Sequence, residues 1–246
     1  MNWLTSPILT SRHAFTDRRG GVSSGPFASL NLARGNGDDE WAVAENRRRL
    51  LDAFGVPPLA RLNQVHGTIV HLVDGSGVWE GDGLVSNTPG LALAVQVADC
   101  YPLLLEDPAS RAVAALHAGW RGALGNILGA AVKAMQREYG TNPAELRLAA
   151  GPGIAGPCYQ VDAGLADRFA AAGWDGAVLP DPEPGKARLD LLAVIRAQAL
   201  TAGLRLENLW FAGVCTHCHP AYYSYRRDGK KSGRQWGLIQ APPPAG

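Results

Sequence analysis

Leu91-Ala92-Leu93-Ala94-Val95-Gln96-Val97, Tyr101-Pro102-Leu103-Leu104-Leu105-Glu106 and Ala112-Val113-Ala114-Ala115-Leu116 are three apolar runs set close together in the middle of the chain. Each has the length of a strand, and short Asp- or Pro-containing segments separate them, the pattern of neighbouring strands. A helical pattern follows only afterwards, from about Ala123 to Glu138, entered through Gly119-Trp120-Arg121-Gly122 and stopped at Gly140. Towards the N-terminus another β-rich run covers Thr68–Val73. Before it, Asp38-Asp39-Glu40 caps a helix to about Phe54, with Trp41, Ala44, Leu51 and Phe54 on its buried side and Gly55 at its end.

Towards the C-terminus, strand-like Leu146–Ala150 enters the turn Gly151-Pro152-Gly153. Helical patterns recur near Gly164–Ala172 and Leu191–Ala202, and short strands are expected around Leu209–Val214, Tyr222–Tyr225 and Leu238–Gln240. Strands and helices are therefore mixed without regular βαβ alternation, which predicts an α+β fold of mixed sheets flanked by helices. Pro180–Gly185 is too short for a domain linker, so 1–246 reads as a single domain, with 241–246 as a flexible tail.

The composition narrows the function classes. Hydrophobic residues make up 46% of the 246 residues and charged ones 18%, which excludes extended disorder. A formal net charge of +1 offers no basic excess for a nucleic-acid backbone. The N-terminus lacks a basic, apolar leader, and Leu91–Leu105 is interrupted by Gln96, Asp99 and Pro102, so no membrane span is expected. The expectation is a cytoplasmic protein, a monomer or weak homo-oligomer, acting on a small molecule. In such a compartment Cys100, Cys158, Cys215 and Cys218 are read as buried, catalytic or metal-bound rather than paired.

Three local settings carry the chemistry. His66 sits in Asn63-Gln64-Val65-His66-Gly67, Cys100 in Ala98-Asp99-Cys100, and His117 in His117-Ala118-Gly119-Trp120-Arg121-Gly122. Two imidazoles and a thiolate suit borderline-soft Zn2+, and three protein ligands leave a fourth position for water or substrate. Copper is the alternative metal. The competing reading has His66 and His117 as hydrogen-bonded residues at strand ends and Cys100 as a core thiol. Arg121, in the first turn of a helix, is placed to hold phosphate or carboxylate, and Asp99 to orient a ligand or move a proton. Asn46-Arg47-Arg48-Arg49 reads first as a wet helix face, although Arg47 could reach an anion and Asn46 a sugar or base edge; Gln64 joins these substrate-binding candidates.

Cys215-Thr216-His217-Cys218-His219 matches a c-type haem attachment pattern, which requires export and is rejected. Its His-Cys-His also fits a multicopper oxidase, but six histidines are too few to hold four coppers. A structural metal on Cys215 and Cys218 is an alternative to the favoured reading, a strand-to-loop edge beside the site with His217 or His219 reaching substrate. The His-x-Glu of cytidine-type zinc deaminases is absent from the sequence.

Taken in order, Ser29-Leu30-Asn31-Leu32, Glu45-Asn46-Arg47, Asn63–Gly67, Asp82-Gly83-Leu84-Val85, Ala98-Asp99-Cys100, His117–Gly122, Gly151-Pro152-Gly153-Ile154 and Tyr223–Asp228 resemble the YfiH/YlmD family of laccase-domain, or polyphenol oxidase, proteins. The resemblance spans almost the whole chain. It implies a purine nucleoside phosphorylase with adenosine deaminase and methylthioadenosine phosphorylase activities, and zinc on His66, Cys100 and His117. It also implies an alternative role as an amide hydrolase on wrongly built peptidoglycan precursors. Independently of the family, Cys100 and His117 could form a metal-free cysteine hydrolase, and the same cavity could serve a non-enzymatic nucleotide-binding regulator.

Overall fold

The three central runs do become strands, but they are not all neighbours, and that difference creates the site. The computed structural model describes residues 2–55 and 57–243. In chain order the first strands are β1 (Trp3–Leu4), β2 (His13–Thr16), β3 (Leu59–Asn63), β4 (Val70–Leu72), β5 (Gly77–Glu80), β6 (Gly83–Ser86) and β7 (Ala92–Val97). They are followed by β8 (Tyr101–Glu106), β9 (Val113–Ala118), β10 (Arg147–Ala150), β11 (Gln160–Asp162), β12 (Val178–Pro180), β13 (Lys186–Leu189), β14 (Leu209–Phe211) and β15 (Gln235–Gln240). The helices are α1 (Glu40–Ala53), α2 (Trp120–Leu124), α3 (Ile127–Tyr139), α4 (Ala163–Phe169), α5 (Leu191–Thr201) and α6 (Tyr225–Asp228).

Two mixed six-stranded sheets, in the orders β1-β2-β15-β7-β3-β5 and β14-β10-β8-β9-β6-β4, lie face to face. Phe15, Leu93, Val95, Leu104, Ala115 and Ile239 fill the space between them. Alternate residues of the same strands face outwards: Leu103, Leu105 and Leu116 pack under α3 and α5, while Ala92, Ala94 and Leu238 pack under α1. Both faces of β8 and β9 are thus covered, which is why these runs are apolar at nearly every position instead of alternating. Full burial of one leucine such as Leu104 stabilises the fold by about 1.5–3 kcal/mol. A small sheet, β11-β13-β12, carries 181–185 as the turn between two of its strands, with Pro180 ending β12.

Several boundaries differ from the sequence reading. The helix expected from Ala123 to Glu138 begins at Trp120 and is broken at Gly125-Asn126, where left-handed Asn126 (φ 60°) accepts the Gly129 amide and caps α3. On α1, Asp39 caps the start as expected, but the buried side is Ala42, Val43, Asn46 and Leu50 followed by Phe54. Trp41 is 70% exposed, Ala44 is exposed and Leu51 is half-buried. The polar Asn46 misled the pattern, because it is a buried hydrogen-bonding hub. Tyr222–Tyr225 is not a strand: the Ser224 hydroxyl accepts the Arg227 amide and starts the single turn of α6. Ala241, expected to open the flexible tail, is fully buried and its amide donates to the Leu91 carbonyl (2.9 Å); 244–246 lie outside the described residues. Among the described residues no helix is long and apolar enough to cross a membrane.

Candidate metal centre and cavity

Strands β3, β5 and β7 belong to the first sheet, and each is followed by a strand of the second, β4, β6 and β8. The three crossings gather at one end of the sandwich. The first carries His66, the second Asp82, and the third Ala98-Asp99-Cys100. His117 completes the group from the end of β9, where it pairs with Pro102 of β8. Left-handed backbone at His66 (φ 61°) and Asp99 (φ 88°) marks how sharply two of these crossings turn.

One ligand nitrogen from each histidine and the Cys100 sulfur all lie within 4.8 Å of one another. The two imidazoles meet edge to face, with centroids 4.7 Å apart. His117 is buried, Cys100 half-buried and His66 exposed, so the set opens towards solvent on one side. Gly119 leaves room beside it: a Cβ there would stand 3.0 Å from the Cys100 sulfur and 3.4 Å from the His66 ring, so the ligands would have to shift. One thiolate and two imidazoles are a donor set that fits zinc and also copper.

Asp82 organises these ligands, and sequence reasoning assigned it no role. It is fully buried. Its Oδ1 accepts from His117 Nδ1 (2.7 Å) and from the His66 amide (3.0 Å), while Oδ2 accepts from the Gly67 amide (2.6 Å). A carboxylate only accepts, so His117 keeps a proton on Nδ1, and Nε2 is the nitrogen left to bind a metal once it gives up its own proton. The hint in the sequence was an acid placed directly before the buried strand Gly83–Ser86. In the metal-free protein burial alone would push the Cys100 thiol up, but His117 and His66 outweigh it and bring the thiol down to about 6. Burial likewise disfavours the charged form of His117, yet Cys100 and Asp82 raise it to about 9. The pair is therefore biased towards thiolate and imidazolium.

The ligands form one wall of a cavity of about 620 Å3. Arg121, Arg226 and Arg234 also line it, together with the aromatic rings of Trp120, Tyr159 and Tyr225. The Arg121 guanidinium lies over the Trp120 ring at 4.4 Å and makes no hydrogen bond among the described residues. Arg226 is anchored by donating to the Gln160 carbonyl (2.6 Å), and Arg234 by donating to the carbonyls of Ser232 (2.8 Å) and Gly233 (2.9 Å). Neither Arg226 nor Arg234 was singled out from sequence, although Arg226 stands in the Tyr223–Asp228 motif.

The remaining sequence candidates are placed less directly. Gln64 lines the cavity, but its amide exchanges two bonds with the Gln96 backbone (2.7 and 2.8 Å) and ties β3 to β7. Asp99 lines it too, while its carboxylate accepts from Thr216 Oγ1 (2.7 Å) and the Arg226 amide (2.6 Å) instead of touching the metal ligands. Asn46 is elsewhere: fully buried, it joins Val22, Ser23, Ser29 and Asn31. Arg47 donates to the Leu32 carbonyl and covers the Trp236 ring, outside the cavity. His217 and His219 do not line it either; His219 borders a separate surface hollow with Arg18 and Arg19.

Known proteins share this architecture. The chain is 46% identical to a purine nucleoside phosphorylase of Deinococcus radiodurans over 97% of its own length and 92% of that protein's. The crystal structure of YlmD from Geobacillus stearothermophilus superposes with a TM-score of 0.89 at 32% identity, covering 98% of this chain and 97% of that one. The Bacillus licheniformis protein YfiH gives 0.87 at 32% identity, covering 93% and 91%. The family model described as multi-copper polyphenol oxidoreductase laccase matches residues 12–242, and the chain belongs to that family.

Proposed function

We propose that the chain is a zinc-dependent purine nucleoside phosphorylase whose cavity also serves adenosine deamination and S-methyl-5'-thioadenosine phosphorolysis. The observation that carries this reading is the meeting of two poles in one cavity: the His66–Cys100–His117 ligands and the guanidinium groups of Arg121, Arg226 and Arg234. Relatives named purine nucleoside phosphorylase support it. Four coppers would need more histidines than the site assembles; His13 is buried and bonded to Ser6 and Ser11, and His71 bonds the Glu80 carbonyl.

Zinc held by the three ligands would supply Lewis acidity and an open coordination position. The guanidinium groups bind and orient phosphate for attack on the anomeric carbon of the ribose, and the glycosidic electron pair leaves with the purine. Anchored Arg226 and Arg234 need little reorganisation to do this, whereas Arg121 is at liberty to close on the anion. Trp120, Tyr159 and Tyr225 offer faces for the base. Burial pushes the Tyr159 phenol up to about 12, so it remains a hydrogen-bond donor towards the departing base at neutral pH.

Incubation of pure protein with inosine, adenosine or methylthioadenosine, with and without phosphate, tests the reading. Phosphate-dependent release of free base, abolished in His66→Ala, is expected, with adenosine converted to inosine when phosphate is omitted. Absence of any turnover by the zinc-loaded protein would overturn it, and would favour a nucleotide-binding regulator. A second reading rests on the Asp82–His117–Cys100 series of contacts with its thiol brought down to about 6. That arrangement suits a cysteine amide hydrolase on peptidoglycan precursors, with Cys100 as nucleophile and His117 as base. Full activity after complete metal removal would select it.

A further inference from the structure

A second group of metal-binding side chains lies outside the cavity wall. The sulfurs of Cys158 and Cys218 are 3.2 Å apart, and with a ring nitrogen of His217 they form a set of ligand atoms all within 4.8 Å of one another. None of the three was used by the site described above. Cys215 precedes Cys218 by three residues, and the Ala155 amide donates to its sulfur (3.3 Å). An amide directed at sulfur favours the thiolate form that binds metals. All four cysteines of the chain are free thiols.

The backbone holds these residues in place from two directions. Gly153 bridges to Cys215, the Thr216 amide donates to the Gly153 carbonyl (3.0 Å), and the His219 amide closes the turn on the Cys215 carbonyl (2.9 Å). Two loops far apart in sequence, 153–158 and 214–219, therefore present a Cys-x-x-Cys turn with a histidine inside it and a third cysteine opposite. The Cys215 sulfur lies beside those of Cys158 and Cys218 and would add a third thiolate to the group of three; three thiolates and one imidazole are a closed set of the kind that holds structural zinc. A disulfide between Cys158 and Cys218 would use two of these groups and leave Cys215 and His217 unexplained.

We propose that Cys158, Cys215, His217 and Cys218 bind one structural zinc ion, separate from the His66–Cys100–His117 centre. The ion staples the loop 214–219 to the loop that carries Ile154 and Tyr159 into the cavity wall. Tyr159, which lines the cavity, follows Cys158, and Thr216, between two of the ligands, holds the Asp99 carboxylate that in turn holds the Arg226 amide. The inference does not rest on any particular reaction.

Metal analysis of protein purified under reducing conditions with zinc in the medium tests it. The expected content is about two zinc ions per chain, falling to about one in Cys158→Ser/Cys218→Ser and also to about one in Cys100→Ala. Cobalt substitution of the Cys100→Ala protein gives a reading that does not depend on the double variant folding. Strong multi-thiolate charge-transfer absorption, lost on adding His217→Ala or Cys215→Ser, is expected there. A wild-type content of one zinc that vanishes in Cys100→Ala, with no thiolate absorption from the remaining cobalt protein, would overturn the proposal. So would a thiol count short by two with Cys158 and Cys218 recovered as a disulfide-linked peptide.

Discussion

Replacing Asp82 by Asn tests the organisation of the centre most directly, because the side chain keeps its shape and loses only its charge and one acceptor. Both carboxylate oxygens accept: Oδ1 from His117 Nδ1 and the His66 amide, Oδ2 from the Gly67 amide. An asparagine has one acceptor oxygen and one amino group, so either orientation fails. With oxygen towards His117, the amino group confronts the Gly67 N–H across 2.6 Å. With the amino group towards His117, the imidazole must accept on Nδ1 and carry its proton on Nε2, which removes the ligand lone pair.

A hydrogen bond to a charged acceptor contributes about 1.5–3 kcal/mol. Loss of one such bond and weakening of the others should lower the stability of the metal-free protein by about 2–4 kcal/mol, read by denaturant unfolding. Zinc affinity should fall about 10–100-fold, the range for groups that orient a ligand, or about 1.4–2.8 kcal/mol. Competition with a chelator of known affinity measures it. If D82N binds zinc within about twofold of the unmodified protein, the assignment of Asp82 as the orienting group is wrong.

Three further outcomes follow from the geometry. In metal-stripped protein the rate of alkylation at Cys100, followed on its own peptide, should rise through pH about 6 and level off above it; a midpoint near the ordinary thiol value of about 8.5 would contradict the influence of the imidazoles. Gly119→Ala places a Cβ 3.0 Å from the Cys100 sulfur while its backbone (φ −83°, ψ 179°) suits alanine, so zinc affinity should drop about tenfold or more with a nearly unchanged melting temperature. Arg121→Ala should raise the KM for phosphate about 10–100-fold, from the loss of a charge-assisted contact, and leave stability within about 0.5 kcal/mol because this guanidinium makes no hydrogen bond among the described residues; an unchanged phosphate KM would remove Arg121 from the anion site.

Much of the candidate site was legible along the chain. A histidine or cysteine at the edge of an apolar run, next to glycine or aspartate, is visible locally, and His66, Cys100 and His117 stand in such settings. Their apolar neighbours also announced β7, β8 and β9, since burial on both faces leaves an uninterrupted hydrophobic record. Asp39 and Gly140 marked helix ends for equally local reasons, one side chain capping an amide and one residue adopting a left-handed turn.

What lies between elements was decided only in three dimensions. Periodicity cannot tell that β7 and β8, separated by three residues, join different sheets, because sheet membership depends on partners drawn from the whole chain. For the same reason Asn46 read as a wet helix position although four distant backbone and side-chain groups bury it. Asp82 and Arg226 stood in motifs of the family resemblance without an assigned role, and Arg234 in none; their place beside the candidate centre emerges only where separate crossings and the C-terminal turn converge on one cavity. The candidate triad itself shows the division. Donor type was written in the residues, whereas the mutual approach of the three donors and the tautomer of His117 come from a carboxylate presented by another crossing between the sheets.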